Sequence, residues 1–413
     1  MSGSTLVMRK VTWRLLFSLF GVLSLAACSE SDQQDSAGTV SMSLRYPLPA
    51  GKEQYICQLV QVPESPDGEV FMSGRSHDYN GGSHHYGLYR STLSKLPAGV
   101  SLNAPEDCWG PNNLMQYATD FIILEQTAHV AVDYPKGVAM PFKSGEIMVL
   151  ELHAINPNAT ESLVTVDVHL KLMPKAEVRE RMALLQFYDP FVYLPPKSKA
   201  AAGLRCNLPD DVTLIEANPH FHLRGVRHET FIDPPDAPPS TTPFLVSTSW
   251  DRPPQWHGAL PIAAGTHVRF HCDYDNPDDR TYLQGPSKND NEMCSFWGYV
   301  YPAPEDRSVI GCTGANGDQY GTGSQTCSET MACVQKCPAG EAPDLSVPGM
   351  FTVGPCYMKC MVDSCPTAST FVDAFGQCLA SKCASDCPGD ECEACVTSNC
   401  SSEASACAAQ TCE

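Results

Sequence analysis

The chain has 413 residues, enough for two or three domains, and a formal net charge of −20 from 27 Lys and Arg against 47 Asp and Glu. That balance excludes nucleic acid as a partner, because phosphate binding needs clustered cations. Its 21 cysteines suit an exported, oxidising compartment rather than a reducing cytosol.

Arg9, Lys10 and Arg14 precede an apolar run from Leu15 to Ala27, which is short for a membrane span. The run ends in Leu25-Ala26-Ala27-Cys28 and resembles the lipobox of bacterial lipoproteins. That resemblance implies a signal peptide over 1–27, cleavage before Cys28 and acylation of Cys28; a plain transmembrane anchor is the alternative. Residues 28–42 are small and polar and read as a flexible tether. The expected location is the bacterial cell envelope, held at a membrane by lipid.

Residues 43–191 read as short strands between Gly, Pro and Asn turns, among them "TAHVAVDYP", "GEIMVLELHAINP" and "SLVTVDVHLKLMP". Only "KAEVRERMALLQ" offers a helical turn or two. The stretch 192–203, "VYLPPKSKAAAG", reads as a proline-bearing linker. A second β-rich segment, 204–312, carries "DVTLIEANPHFHLRG", "THVRFHCDYDNP" and "MCSFWGYVYP". The predicted fold is mainly β: two tandem antiparallel, jelly-roll-like sandwiches plus a small, partly helical, disulfide-rich module. "MVLELHAINP" and "VRFHCDYDNP", two apolar strands ending in Asn-Pro, form a weak internal echo between the sandwiches.

Residues 313–413 differ in kind, with twelve acidic and three basic residues and fourteen of the cysteines. Cysteines three and four apart share a face of a short helix, so disulfides between helices can stabilise a module with little apolar core. A metal-thiolate site at Cys392-x2-Cys395 is the sharper alternative. The module is expected to be a scaffold or to face a protein or surface partner. Setting Cys28 aside, the cysteines divide evenly among the segments, as closed disulfide frameworks require.

Five histidines sit in suggestive places. His84 and His85 are adjacent in "NGGSHHYGLY", His153 ends the strand "MVLELHAINP", and His220 and His222 are two apart in "NPHFHLRG". Residues i and i+2 of a strand share a face, so His220 and His222 can reach one ion. Adjacent His84 and His85 would diverge in a regular strand; Gly81 and Gly82 allow the irregular backbone that convergence needs. Met293, in "NEMCSFWGYVYP", offers a thioether, and imidazole plus thioether suits copper, especially Cu(I). Taken singly, each reading competes with ordinary packing. His228 lies on loop-like ground and could bind a copper or nothing, His257 and His271 read as core or surface residues, and His77, His129, His169 and His267 carry no signal.

The order of these features resembles the copper type II, ascorbate-dependent monooxygenases, the family of dopamine β-monooxygenase and peptidylglycine α-hydroxylating monooxygenase. The resemblance covers roughly residues 45–312. It rests on "YICQLVQVP", "SHHYGLY", "VAVDYPKGVAMPF", "LELHAINP", "PHFHLRG", "HCDYDNPDDR" and "NEMCSFWGYVYP". It implies two copper ions per chain. His84, His85 and His153 match the ligands of the electron-donating copper. His220, His222 and Met293 match those of the copper where O2 reacts and a C–H bond of a small organic substrate is hydroxylated, with ascorbate or another one-electron reductant. It also implies the disulfides Cys57–Cys108, Cys206–Cys312 and Cys272–Cys294. In the peptide-hydroxylating branch an arginine precedes the His-x-His pair by two and grips the substrate carboxylate; Asn218 stands there in this chain. Ser295 and Trp297 replace that branch's asparagine and tyrosine after the methionine. Asn218 and Trp297 are therefore candidate substrate residues, with Trp297 either an aromatic wall or plain strand packing. A non-enzymatic copper-binding or copper-delivery protein is the second functional reading.

Overall fold

The computed structural model describes residues 38–80, 82–285, 287–304, 307–312, 319–338, 341, 354–383, 387 and 391–412. The signal peptide, Cys28 and most of the expected tether lie outside them. The fold is mainly β, two antiparallel sandwiches followed by a disulfide-rich helical region. No helix among the described residues is long and apolar enough to cross a membrane.

In the first sandwich, one sheet orders Thr39–Leu48, Ser162–Met173, Glu69–Tyr79, Val138–Lys143 and Glu180–Arg181, with His129–Asp133 also paired to Glu69–Tyr79. The other orders Glu106–Asp107, Glu53–Gln61, Ile147–Ile155, Ser83–Ser91 and Ala118–Glu125. Strand Ser162–Met173 shows why: Val164, Val166, Val168 and Leu170 alternate into the core while the residues between them point outward.

In the second sandwich, one sheet orders Trp256–Ile262, Val212–Phe221, Cys294–Tyr301, Ala183–Tyr188 and Val309–Gly311. The facing sheet orders Leu245–Ser247, Gly225–Asp233, His267–Asn276, Ser198–Asn207 and Gln319–Tyr320. The central strands of the first of these sheets are buried on both faces. Phe221, Cys294, Phe296 and Val300 enter the second sandwich's own core. Met182, Leu184, Ile215, Trp297 and Tyr299 enter the core of the first. The two sandwiches thus share an apolar interface, and Tyr299 Oη donates to the Ile122 carbonyl across it at 2.6 Å.

Three sequence boundaries move. The expected linker 192–203 is not one: Ser198–Asn207 is a strand paired along its whole length with His267–Asn276, because its Ala202, Leu204 and Cys206 alternate into the core. The crossover falls earlier, between Arg181, still paired in the first sandwich, and Ala183, the start of a strand of the second. "KAEVRERMALLQ" forms one 3-10 turn, Lys175–Glu177, and then strand Ala183–Tyr188, since Ala183, Leu185 and Phe187 face one core and Leu184 the other. The tether ends sooner than Met42, with Thr39 already paired to Lys171.

The Asn-Pro echo is structural. Asn156 Nδ2 donates to the carbonyls of Leu48, Pro49 and Thr160, and its Oδ1 accepts from Asn158 N. Asn276 Nδ2 does the same with Leu194, Pro195 and Arg280, and its Oδ1 accepts from Asp278 N.

Cys57–Cys108, Cys206–Cys312 and Cys272–Cys294 pair as the resemblance implies. In the C-terminal region seven further disulfides join helices Cys327–Val334, Pro355–Val362, Pro366–Lys382, Cys392–Asn399 and Ser401–Ala409 or their flanks. Cys392 pairs with Cys387 and Cys395 with Cys383, which removes the thiolates of the alternative metal site. These bridges belong to an exported, oxidising setting. The region is not a free-standing module. Cys327, Met361, Ala368 and Val372 join the second sandwich's core, and Tyr320 Oη donates to Asp373 at 2.6 Å.

Candidate metal centre

Strand parity sets the first histidine group. Along Ile147–Ile155, Met148, Leu150, Leu152 and Ala154 fill the sandwich core, so Glu151 and His153 share the opposite face. His85 stands directly across from His153, and the register slips by one between Ser83 and His85. That slip is the irregularity the adjacent pair requires. It lets His84, His85 and His153 bring one ligand atom each to within 4.8 Å of one another.

The second group uses the face of strand Val212–Phe221 that looks toward the first sandwich. Ala217 and Phe221 pack inward, leaving Glu216, Asn218 and His220 outward, with His222 just past the strand end. His220 and His222 lie with ring centroids 5.0 Å apart and planes perpendicular. The turn that follows depends on Gly225, whose amide bonds the His222 carbonyl at 3.0 Å; a Cβ there would meet the Phe221 ring at 1.9 Å. Buried Glu292 accepts from the amides of His222 and Arg224 at 3.1 and 2.8 Å. Met293 follows it.

One cavity of about 90 Å³ reaches both groups: His85 lines it from the first, and His220, His222 and Met293 from the second. Its remaining wall is Tyr55, Tyr89, Trp109, Met115 and Leu124, with Gln126 and Glu151 as polar members. Burial pushes the Glu151 carboxyl up to about 8. No Lys or Arg is among the lining residues. Tyr55 stacks on His153 at 3.9 Å, and the edge of half-exposed Trp109 meets Tyr55 at 5.1 Å.

The donors fit copper. Burial holds His84 and His222 down to about 3 and His85, His153 and His220 also below the ordinary imidazole range, so all five rings are neutral, the state in which nitrogen can ligate. His153 Nε2 lies 2.9 Å from Glu53 Oε1, and His85 Nε2 3.7 Å from Glu151 Oε1. Their Nδ1 atoms are buried without a hydrogen-bond partner, as expected of nitrogens left for an ion, and Glu53 orients the other edge of His153. In the second group the edges reverse: His220 Nδ1 meets Gln126 Oε1 at 2.8 Å and His222 Nδ1 the Asn291 carbonyl at 3.3 Å, which frees Nε2. Two imidazoles and a thioether form a soft set suited to Cu(I).

The candidate substrate residues fall elsewhere. Neither Asn218 nor Trp297 lines the cavity. Asn218 donates to Glu216 Oε1 at 3.0 Å, and Trp297 packs between the sandwiches, against Phe121 and 5.3 Å from the His220 ring. Buried His228 stacks on Phe270 and bonds the Ser295 carbonyl at 3.0 Å, so it is a core residue. His257 and His271 stand beside Glu216 and Glu229 at 3.7 and 3.2 Å. Sequence reasoning missed Glu53, Tyr55, Gln126 and Trp250. Glu151 alone left a signal, two residues before His153 and so on its face.

No family model matches the chain, and no curated protein matches it. Among solved structures it is similar to the major capsid protein P2 of bacteriophage PM2, at 9% identity over 65% of this chain and 99% of that one, TM-score 0.26. It is also similar to a peptide-N(4)-(N-acetyl-β-D-glucosaminyl) asparagine amidase, at 7% identity over 65% and 98%, TM-score 0.28. An infectious bursal disease virus structure matches at 10% identity over 65% and 72%, TM-score 0.19. Scores this low carry no argument about fold or function.

Proposed function

We propose that this chain is a copper-dependent monooxygenase that inserts oxygen into a C–H bond of a small organic substrate, using O2 and a one-electron reductant such as ascorbate. The carrying observation is the single cavity lined by members of both ligand groups. The resemblance to the ascorbate-dependent copper monooxygenases supports the same reading, as does the softer donor set of the second group.

His84, His85 and His153 would hold one copper, and His220, His222 and Met293 the other. Bound copper supplies one-electron chemistry with O2. Per turnover one oxygen atom enters the C–H bond and the other leaves as water, with two electrons from the reductant and two protons. Glu53 holds the His153 ring of the first group in place; Gln126 and the Asn291 carbonyl hold the second group's rings. Tyr55, Tyr89, Trp109, Met115 and Leu124 keep water from the cavity and offer apolar contact. With no cation in its wall, and with Asn218 turned away into Glu216, the cavity has no clamp for a carboxylate, so the substrate is not recognised as an anion. The lipobox-like Leu25–Cys28 adds that the mature chain is lipid-anchored at the envelope.

The test is copper stoichiometry and ascorbate-driven O2 uptake on the mature chain. Two coppers, with uptake that a small molecule stimulates and Met293→Ile abolishes, are expected. Two coppers without stimulated uptake would favour copper delivery, and fewer than one in a folded, copper-loaded sample would end both readings.

A further inference from the structure

Gln126 belongs to the first sandwich, one residue beyond strand Ala118–Glu125, yet its side chain serves the second. Its Nε2 donates to the Trp250 carbonyl at 3.3 Å, and its Oε1 lies 2.8 Å from His220 Nδ1. A main-chain carbonyl can only accept, which fixes the amide with its nitrogen toward Trp250. Oε1 then faces His220, and it too can only accept. His220 must therefore carry its proton on Nδ1 and keep its lone pair on Nε2. His222 reaches the same tautomer by a different route, against the Asn291 carbonyl of its own domain.

The support is reciprocal. Trp250, from the second sandwich, sets its ring 5.2 Å from His84 of the first. Gln126 is 7% exposed, and the residue before it, Glu125, is held across the interface by Gln255 Nε2 at 2.5 Å. The amide that orients His220 is thus placed by the docking of the two sandwiches.

We propose that Gln126 is a positioning residue that completes the second metal group from the other domain. It locks His220 in the tautomer that ligates through Nε2, so that the His220–His222–Met293 set is competent only while the sandwiches are docked. This rests on the assignment of those three residues as a copper group, and the experiment separates the two claims.

The full mature chain is titrated with Cu(I) against a chromophoric chelator, as wild type and as Met293→Ile, Gln126→Leu and Gln126→Glu, with the metal-free melting temperature of each. Gln126→Leu removes the acceptor; Gln126→Glu keeps an acceptor oxygen. The step lost in Met293→Ile should weaken about 10- to 100-fold in Gln126→Leu, the usual cost of losing an outer partner of a ligand. It should return in Gln126→Glu, with the other copper step unchanged in both. The inference is overturned if Gln126→Leu binds as wild type at that step. It is also overturned if both steps weaken together with a lowered melting temperature, which marks general loosening. If the wild type has no Met293-dependent step, the copper assignment itself falls and takes this inference with it.

Discussion

Replacing Arg75 by methionine tests the interface that places the two histidine groups. Arg75 is wholly buried, as are Glu125 and Glu216. Its guanidinium grips Glu216 from the other sandwich through two bonds of 2.8 and 3.0 Å, bonds Glu125, and reaches Tyr134 Oη at 3.2 Å. Burial wins at Glu125, which is raised above the usual carboxylate range; at Glu216 burial also raises it, but the pull of Arg75 prevails and the group stays ionised. One cation therefore balances one carboxylate. Removing one partner of a buried ionic network costs about 3–5 kcal/mol, because a buried charge is left uncompensated. Glu216→Gln should cost less, since Arg75 still has Glu125. In Arg75→Met both carboxyls are pushed up by burial, above their unfolded pKa. The folded state then holds protons that the unfolded state releases, so the variant loses stability as pH rises from about 4.3, the ordinary Glu value. The assay is urea unfolding of wild type, Arg75→Met, Glu216→Gln and the double variant at pH 5 and 8. A cost below about 1 kcal/mol for Arg75→Met at pH 8, or one independent of pH, would refute the reasoning.

Other outcomes follow from single contacts. Burial holds His228 down to about 3, below its unfolded value; the unfolded chain binds the extra proton between about pH 6.5 and 3, so stability is full above 6.5 and falls with acid. His228→Gln should flatten that limb by one proton, about 1.4 kcal/mol per pH unit, read from urea midpoints against pH. Glu53→Ala removes the carboxylate 2.9 Å from His153 Nε2 and should weaken copper at the first group about 10- to 100-fold; chelator competition checks it. Cys365→Ser with Cys412→Ser opens a bridge spanning 47 residues, worth roughly 4 kcal/mol by loop entropy, and should make the C-terminal helices the first site of proteolysis. Unchanged resistance would show that packing against the second sandwich holds them alone.

Parity was the most legible signal. Val164 through Leu170 alternate in the sequence as they do in the sheet, and the His220-x-His222 spacing placed both rings on one side. The convergence of His84 with His85 was legible only as a requirement; the register slip at Ser83 that meets it depends on pairing with a strand some seventy residues away. The linker misreading has a local cause. Pro195, Pro196 and the alanines after them look like a spacer, but Ala202, Leu204 and Cys206 find a core that only the folded sheet supplies. Asn218 and Trp297 lie near His220 yet miss the cavity, because Asn218 bonds Glu216 and Trp297 packs against Phe121. Gln126 was beyond reach, because the histidine it serves, His220, is 94 residues away in the chain.

The paired asparagine corners do not carry the donors with them. Asn156 and Asn276 staple matching turns to matching Leu-Pro dipeptides, Leu48-Pro49 and Leu194-Pro195. The candidate histidines occupy different places in the two halves. His153 stands three residues before its corner, where the second sandwich has Asp273, and the second group sits instead on strand Val212–Phe221. The two halves share a corner device but not a donor position, so neither candidate histidine group can be located by superposing one half on the other.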